Sequence, residues 1–141
     1  MTTFNLFISF DEENETRKHQ VDALRQMLGT PSNLLRIYTN KDKQSIENAH
    51  LCLFLITNSF IKSNICKREL IYAAKIGKTI LCLILEEVSI SESEYEIRFI
   101  VENCPCKQFN MLHSKNEFDD AKTLIHSHLE VLYTNLNSCL F

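Results

Sequence analysis

The sequence predicts an α/β domain of flavodoxin-like build, a three-layer sandwich with a five-stranded parallel sheet in the order 2-1-3-4-5 and helices on both faces. Three observations predict it. Short, continuous apolar runs alternate with segments whose apolar residues recur every three or four positions, as expected for strands buried on both faces between amphipathic helices. The length of 141 residues fits one domain with one core and leaves no room for a second. Glycine is scarce, with two residues where average usage of about 7% would give about ten. Gly29 and Gly77 each fall where a helix should close, so neither can form a phosphate-cradling loop of Walker or Rossmann type.

The elements follow in order. Phe4 to Phe10 reads as a buried strand, and Asn14 to Leu28 as a helix with Val21, Leu24 and Leu28 on one stripe. Leu34 to Tyr38 is a second strand. A short polar connection, Asn40 to His50, offers only Ile46 and Ala49 for burial. Leu51 to Ile56 is the most apolar strand; Thr57 to Ser63 then reads as a loop and Asn64 to Ile76 as a helix. Thr79 to Leu85 is a fourth strand. Ser91 to Glu94 has the form of a capping box opening a helix that carries Ile97, Ile100 and Val101. Cys106 to Leu112 gives a weaker fifth strand, and Phe118 to Leu136 a closing helix striped by Ala121, Ile125, Leu129 and Leu132. Five strands alternating with five helices imply right-handed crossovers and the order above.

Composition removes several classes of function. A hydrophobic content of 45% with 23% charged residues is that of a folded globular chain. The net charge of -3, with Lys and Arg scattered except for Lys67-Arg68, gives no nucleic-acid stripe. The longest apolar runs fall far short of the ~20 residues that span a bilayer, so no membrane insertion is expected. The opening apolar stretch lacks a basic region before it and runs into Asp11, Glu12 and Glu13, unlike a signal peptide. Of six cysteines, Cys52 and Cys82 sit in apolar strands and Cys66 opens a helix, which is how reduced core thiols are used in the cytoplasm. Cys104-Pro105-Cys106 with His113 is half of a zinc site at most, so no metal and no cofactor are expected.

In the predicted order the sheet reverses direction between its first and third strands, and ligands bind outside the carboxyl ends of strands at such a switch point. Here it is built from Phe10 to Glu13 and Thr57 to Ser63. The helix rising from the second of these loops carries Glu69, which helical spacing places inside the arc of Ile65, Cys66, Ala73 and Ile76. A carboxylate facing the body of the protein must pair, with Lys62 or Arg36 for example, or sit at the lip of a cleft, or do chemistry. A phosphoacceptor receiver domain would need an Asp where Thr57 and Asn58 stand. A flavodoxin phosphate would be repelled by the carboxylates of residues 11–13, which read most simply as a solvated loop.

These residues resemble the Toll/interleukin-1 receptor (TIR) domain family. Phe7-Ile8-Ser9-Phe10 is similar to its opening signature, and Ile46, Ala49, the strand Leu51 to Ile56, Thr57, Ser59, Phe60, Ser63, Cys66, Glu69 and Leu70 follow its central spacing. The resemblance covers Phe4 to about Leu136, so residues 1–136 are expected to form the domain and 137–141 a short tail. It implies homotypic assembly with other TIR domains, as a homo-oligomer, in innate-immune and cell-death signal transduction. It also implies NAD+ nucleosidase activity, with NAD+ as substrate and Glu69 as the catalytic carboxylate. Phe10 and Asp11 at the mouth of the first strand, with Thr57, Ser59 and Cys66, would then line the substrate site.

The chain departs from the family in three places. The connection Thr39 to His50 is short and lacks Gly and Pro; Thr39 and Asn40 replace an acidic residue at the end of the second strand; Ile65 stands where an aromatic residue commonly precedes the Cys. Two readings therefore stand side by side: an NAD+-cleaving signalling domain, and a catalytically inactive scaffold that associates through exposed segments such as Thr39 to His50 and Ser89 to Tyr95.

Overall fold

The computed structural model describes residues 4–29, 35–39, 42–104, 106–108 and 115–138. Its elements are β1 (Phe4–Ser9), α1 (Glu15–Gly29), β2 (Leu35–Tyr38), α2 (Lys43–Glu47), β3 (Leu51–Ile56), α3 (Asn58–Lys62), α4 (Asn64–Lys75), β4 (Ile80–Ile84), a 3-10 turn (Glu92–Glu94), α5 (Tyr95–Asn103), β5 (Cys106–Gln108) and α6 (Lys115–Ser138). The strands form one parallel sheet in the order β2-β1-β3-β4-β5. Four strands of four to six residues carry it, and β5 adds three residues at the edge.

Two-residue periodicity sorts the strand side chains onto two faces. Leu6, Ile8, Phe10, Leu51, Leu53, Leu55, Leu81 and Leu83 pack with Val21, Leu24 and Leu28 of α1 and Ala121, Ile125 and Leu129 of α6. Phe7, Cys52, Phe54, Ile56, Ile80 and Cys82 point the other way, onto Ile46, Phe60, Leu70, Ala73, Ile97 and Val101 from α2 to α5. Phe54 stands edge-on to both Phe7 and Phe60, an arrangement aromatic quadrupoles favour. Every residue of β3 is buried, as the middle strand of a sheet covered on both faces requires.

The structure differs from the sequence expectation in its short helices. Thr57 to Ser63, expected as a loop, contains α3: the Thr57 hydroxyl accepts from the Phe60 amide at 3.1 Å, and Phe60 and Ile61 are buried. The polar connection before β3 contains α2, capped by Asp42, whose Oδ1 accepts from the Ser45 amide at 2.8 Å, with Ile46 and Ala49 buried. Five residues are too few to show helical periodicity, so the caps hold what the apolar pattern could not reveal. The expected capping box at Ser91 is replaced by a 3-10 turn without a side-chain cap, and α5 begins at Tyr95. Gly29 is the last helical residue of α1, so the helix runs one residue past its expected end at Leu28, and residues 109–112 of the expected fifth strand lie outside the described residues.

Gly77 does close α4 as its sequence position suggested. With φ of 77° it lets its own amide bond the Ala74 carbonyl at 3.2 Å and the Lys78 amide bond the Ala73 carbonyl at 3.0 Å, the paired bonds of a Schellman ending. At the carboxyl edge of the sheet, buried Arg17 of α1 donates to Gln20 at 2.8 Å and to Glu86 after β4 at 3.0 Å. The other oxygen of Glu86 accepts from Asn58 of α3 at 2.7 Å, so one charged network ties three elements around the switch point.

His50 pins the start of β3 to β1. Its Nδ1 accepts from the Asn5 amide at 2.9 Å, its own amide donates to the Asn5 carbonyl at 2.8 Å, and its ring meets Phe4 edge-on. Burial, helped by the positive charge of Lys78, lowers its pKa from the usual 6.5, so the folded protein holds the ring neutral. Below pH ~6.5 the unfolded chain binds a proton that the folded chain resists, and stability falls as pH drops toward the folded-state pKa. Urea denaturation of the wild type should show this loss between pH 7 and 5. His50→Asn, which keeps an acceptor without the titration, should flatten it; an unchanged slope would remove His50 as its source.

Candidate functional site

Ser9 and Phe7 lie on one face of β1, so Ser9 points toward α4 while Phe10 joins the opposite core cluster. α4 starts sharply because the Ser63 hydroxyl accepts from the Cys66 amide at 3.2 Å. Its inward stripe is Cys66, Glu69, Leu70 and Ala73, all buried. Ile65 and Ile76, expected beside Glu69 on that face, are instead 56% and 40% exposed, because the inner arc is narrower than apolar residue types alone suggest.

Glu69 is 7% exposed, and its Oε1 accepts from the Ser9 hydroxyl at 2.8 Å. One turn earlier, the Cys66 thiol donates to the Phe10 carbonyl at 3.4 Å. Residues 66 and 69, three apart on one helix face, thus fasten α4 to the carboxyl end of β1 at two successive residues. The Ser9 hydroxyl satisfies part of the hydrogen-bonding demand of a carboxylate taken out of water. The charge is felt at Cys52, whose thiol is pushed up to about 12 by burial, with Lys78 opposing and Glu69 adding to the rise. Cys52, Cys66 and Cys82 are buried free thiols.

Two concavities flank Ile65, which lines both. The larger, of about 640 Å3, opens at the switch point between β1 and α4 and is lined by Phe10, Asp11, Glu12, Glu13, Ser59, Lys62 and the first residues of α4 through Cys66. The smaller, of about 270 Å3, lies between α2 and α4, where Asp42, Lys43, Ile46, Arg68 and Tyr72 surround Glu69. The structure therefore brings Phe10, Asp11, Ser59 and Cys66 together around one cleft and places Glu69 in the wall of the other. Thr57 lines neither. It is almost wholly buried, caps α3 and lies 3.0 Å from the Ser59 hydroxyl. Asp11 shapes the turn before α1, its side chain accepting from the Glu13 amide at 3.3 Å and its carbonyl from Asn14 at 3.2 Å.

The smaller concavity is braced from α2. The Tyr72 hydroxyl donates to Glu47 at 2.6 Å, Lys78 donates to the Glu47 carbonyl at 2.6 Å, and the Lys43 ammonium stands 5.2 Å from the Tyr72 ring. The bond to Glu47 raises the Tyr72 pKa, and the Ser45 contacts lower that of Asp42, so this wall holds a neutral phenol beside an ionised carboxylate near neutral pH. A carboxylate at depth with Lys43 and Arg68 around it suits a ligand with a cationic or hydroxyl-bearing centre and an anionic flank. Ser9, Asp42, Lys43, Arg68 and Tyr72 were not singled out as site residues from sequence. Alternation along Phe7-Ile8-Ser9-Phe10 could have placed Ser9 opposite α4; the others depend on α2, which has no periodic signal. Among the described residues no three His, Cys, Asp or Glu side chains gather as a metal site, and Pro105, His113 and the Cys106 side chain lie outside them.

No protein-family model matches the chain, and no curated protein matches it. Among solved structures it is similar to the TIR domains of the activated Roq1 resistosome directly recognizing the pathogen effector XopQ. The TM-score is 0.46 at 15% identity, over 86% of this chain and 80% of that one. At that degree of overlap, fold and function rest on the chain's own residues.

Ser9→Ala removes the hydroxyl and leaves Glu69 Oε1 without that donor in a buried setting. Unfolding free energy should fall by about 2 kcal/mol, the scale of a hydrogen bond to a charged group. Chemical denaturation checks it; a change under about 0.5 kcal/mol would show that water takes over the role of the hydroxyl.

Proposed function

We propose that the chain is a TIR-type signalling domain that acts by homotypic assembly in the cytoplasm, in innate-immune or cell-death signalling, and that its Glu69 concavity cleaves the nicotinamide glycosidic bond of NAD+. The observation that carries this reading is the carboxylate of Glu69, oriented by Ser9 and lining a concavity with cations at its rim. The motif residues around β1, β3 and α4 support the family, and the buried free thiols suit a reducing compartment.

In this reading the bond between the ribose anomeric carbon and the pyridinium nitrogen breaks, and its electron pair neutralises the departing nicotinamide. Positive charge then builds on the ribose, where the Glu69 carboxylate stabilises it. Water attacks the anomeric carbon and loses a proton, giving ADP-ribose. At about 270 Å3 the concavity falls just below the ~300 Å3 lower end of small-molecule sites, so it suits the nicotinamide riboside end, with the rest of the dinucleotide running past Lys43 and Arg68.

A second reading, the inactive scaffold, is favoured by one observation: Phe10, Asp11, Ser59 and Cys66, four of the five residues expected to line the substrate site, border the 640 Å3 cleft, while Glu69 lines its neighbour. Nicotinamide release on incubation with NAD+ at high protein concentration separates the two. The catalytic reading expects turnover in the wild type, and Glu69→Gln should lower it at least ~10²-fold with the thermal melt preserved. Turnover that survives the substitution would move the chemistry elsewhere, and none in the wild type would leave the scaffold.

A further inference from the structure

The packing of α5 against α4 leaves apolar surface uncovered. Tyr95 and Phe99, four residues apart on α5, are 69% and 65% exposed. Beside them a groove of about 380 Å3 runs between the two helices, floored by Ile71, Ala74 and Ile100. The ion pair of Lys67 with Glu94, at 2.7 Å, ties α4 to the turn before α5 and so fixes the groove walls. Large aromatics standing out of an apolar recess are the composition of an interaction surface rather than of scattered surface residues.

Lys75 lines the groove from α4 and Glu96 from α5, and neither has an ion partner among the described residues. A two-fold axis through the groove would lay α4 of one copy over α5 of the other, setting each Lys75 against the partner's Glu96 and each Phe99 against the partner's recess. Such a patch is complementary to itself, the condition for a closed two-fold interface. The net charge of -3 is too small to oppose association of two copies.

We propose that the α4–α5 groove is the surface through which a second copy of this chain docks, anchored by Phe99 and Tyr95 and registered by Lys75 against Glu96. This rests on the proposed homotypic assembly and names its surface. Sedimentation velocity of the intact chain over a concentration series should show a reversible dimer. Phe99→Ser should weaken it at least ~10-fold, as loss of a buried aromatic anchor does. Lys75→Glu and Glu96→Lys should each weaken it, and the double reversal should recover most of the affinity because the pairing is restored with exchanged signs. Thermal melts at concentrations where the wild type is monomeric should match, since these side chains are exposed in the single chain. Dimerisation insensitive to Phe99→Ser, or a double reversal no better than either single change, would overturn this surface while leaving assembly intact. A wild type that stays monomeric throughout would overturn both the surface and homotypic assembly.

Discussion

The arrangement of the site depends on one hydrogen bond, from the Ser9 hydroxyl to the Glu69 carboxylate. It joins the last residue of β1 to the middle of α4 across sixty positions of sequence, and it gives a polar contact to a carboxylate on the inner face of that helix. The neighbouring Cys66 to Phe10 contact adds a second tie between α4 and the residue that follows β1. With α4 held in this way, its amino end opens the larger cleft toward the acidic turn, and its outer flank, with Arg68 and Tyr72, forms one wall of the smaller concavity. The same anchoring presents Ile71, Ala74 and Lys75 to α5. Cleft, concavity and groove are three surfaces of one helix whose position is set from β1.

That dependence gives the two concavities separate characters. The 640 Å3 cleft is bordered by three carboxylate side chains and one lysine, while the 270 Å3 concavity sets a buried carboxylate and Asp42 against two cations. Of the two, the smaller offers both signs of charge at comparable strength, and the larger is predominantly acidic. Ile65 stands on the ridge between them, exposed, at the position where the resemblance would have an aromatic ring. A flat aromatic there would extend a stacking wall over either site; a branched aliphatic offers less contact.

Legibility from sequence followed periodicity. Leu51 to Ile56 could be placed as a buried strand because six apolar residues in a row suit a strand covered on both sides, and all six are buried. The stripe of α6 was readable because Ala121, Ile125 and Leu129 repeat every four residues, and all three are buried. The inward direction of Glu69 was likewise readable from Cys66 and Ala73. The α2 and α3 helices were not, because one and a third turns give no repeat, and their caps, Asp42 and Thr57, look like ordinary loop residues until their amide partners are known. Nor could residue types show that Ile65 faces solvent, or that Glu69 and the switch-point residues line separate hollows, since both depend on how α4 packs rather than on which residues it carries.

The direct test of the central interaction is a double-mutant cycle between Ser9→Ala and Glu69→Ala, read by chemical denaturation at neutral pH. If the hydroxyl and carboxylate hold β1 and α4 together as described, the two changes should be non-additive, with a coupling energy of at least about 1 kcal/mol. Effects that add to within about 0.3 kcal/mol would contradict the account and show that α4 takes its position from apolar packing alone.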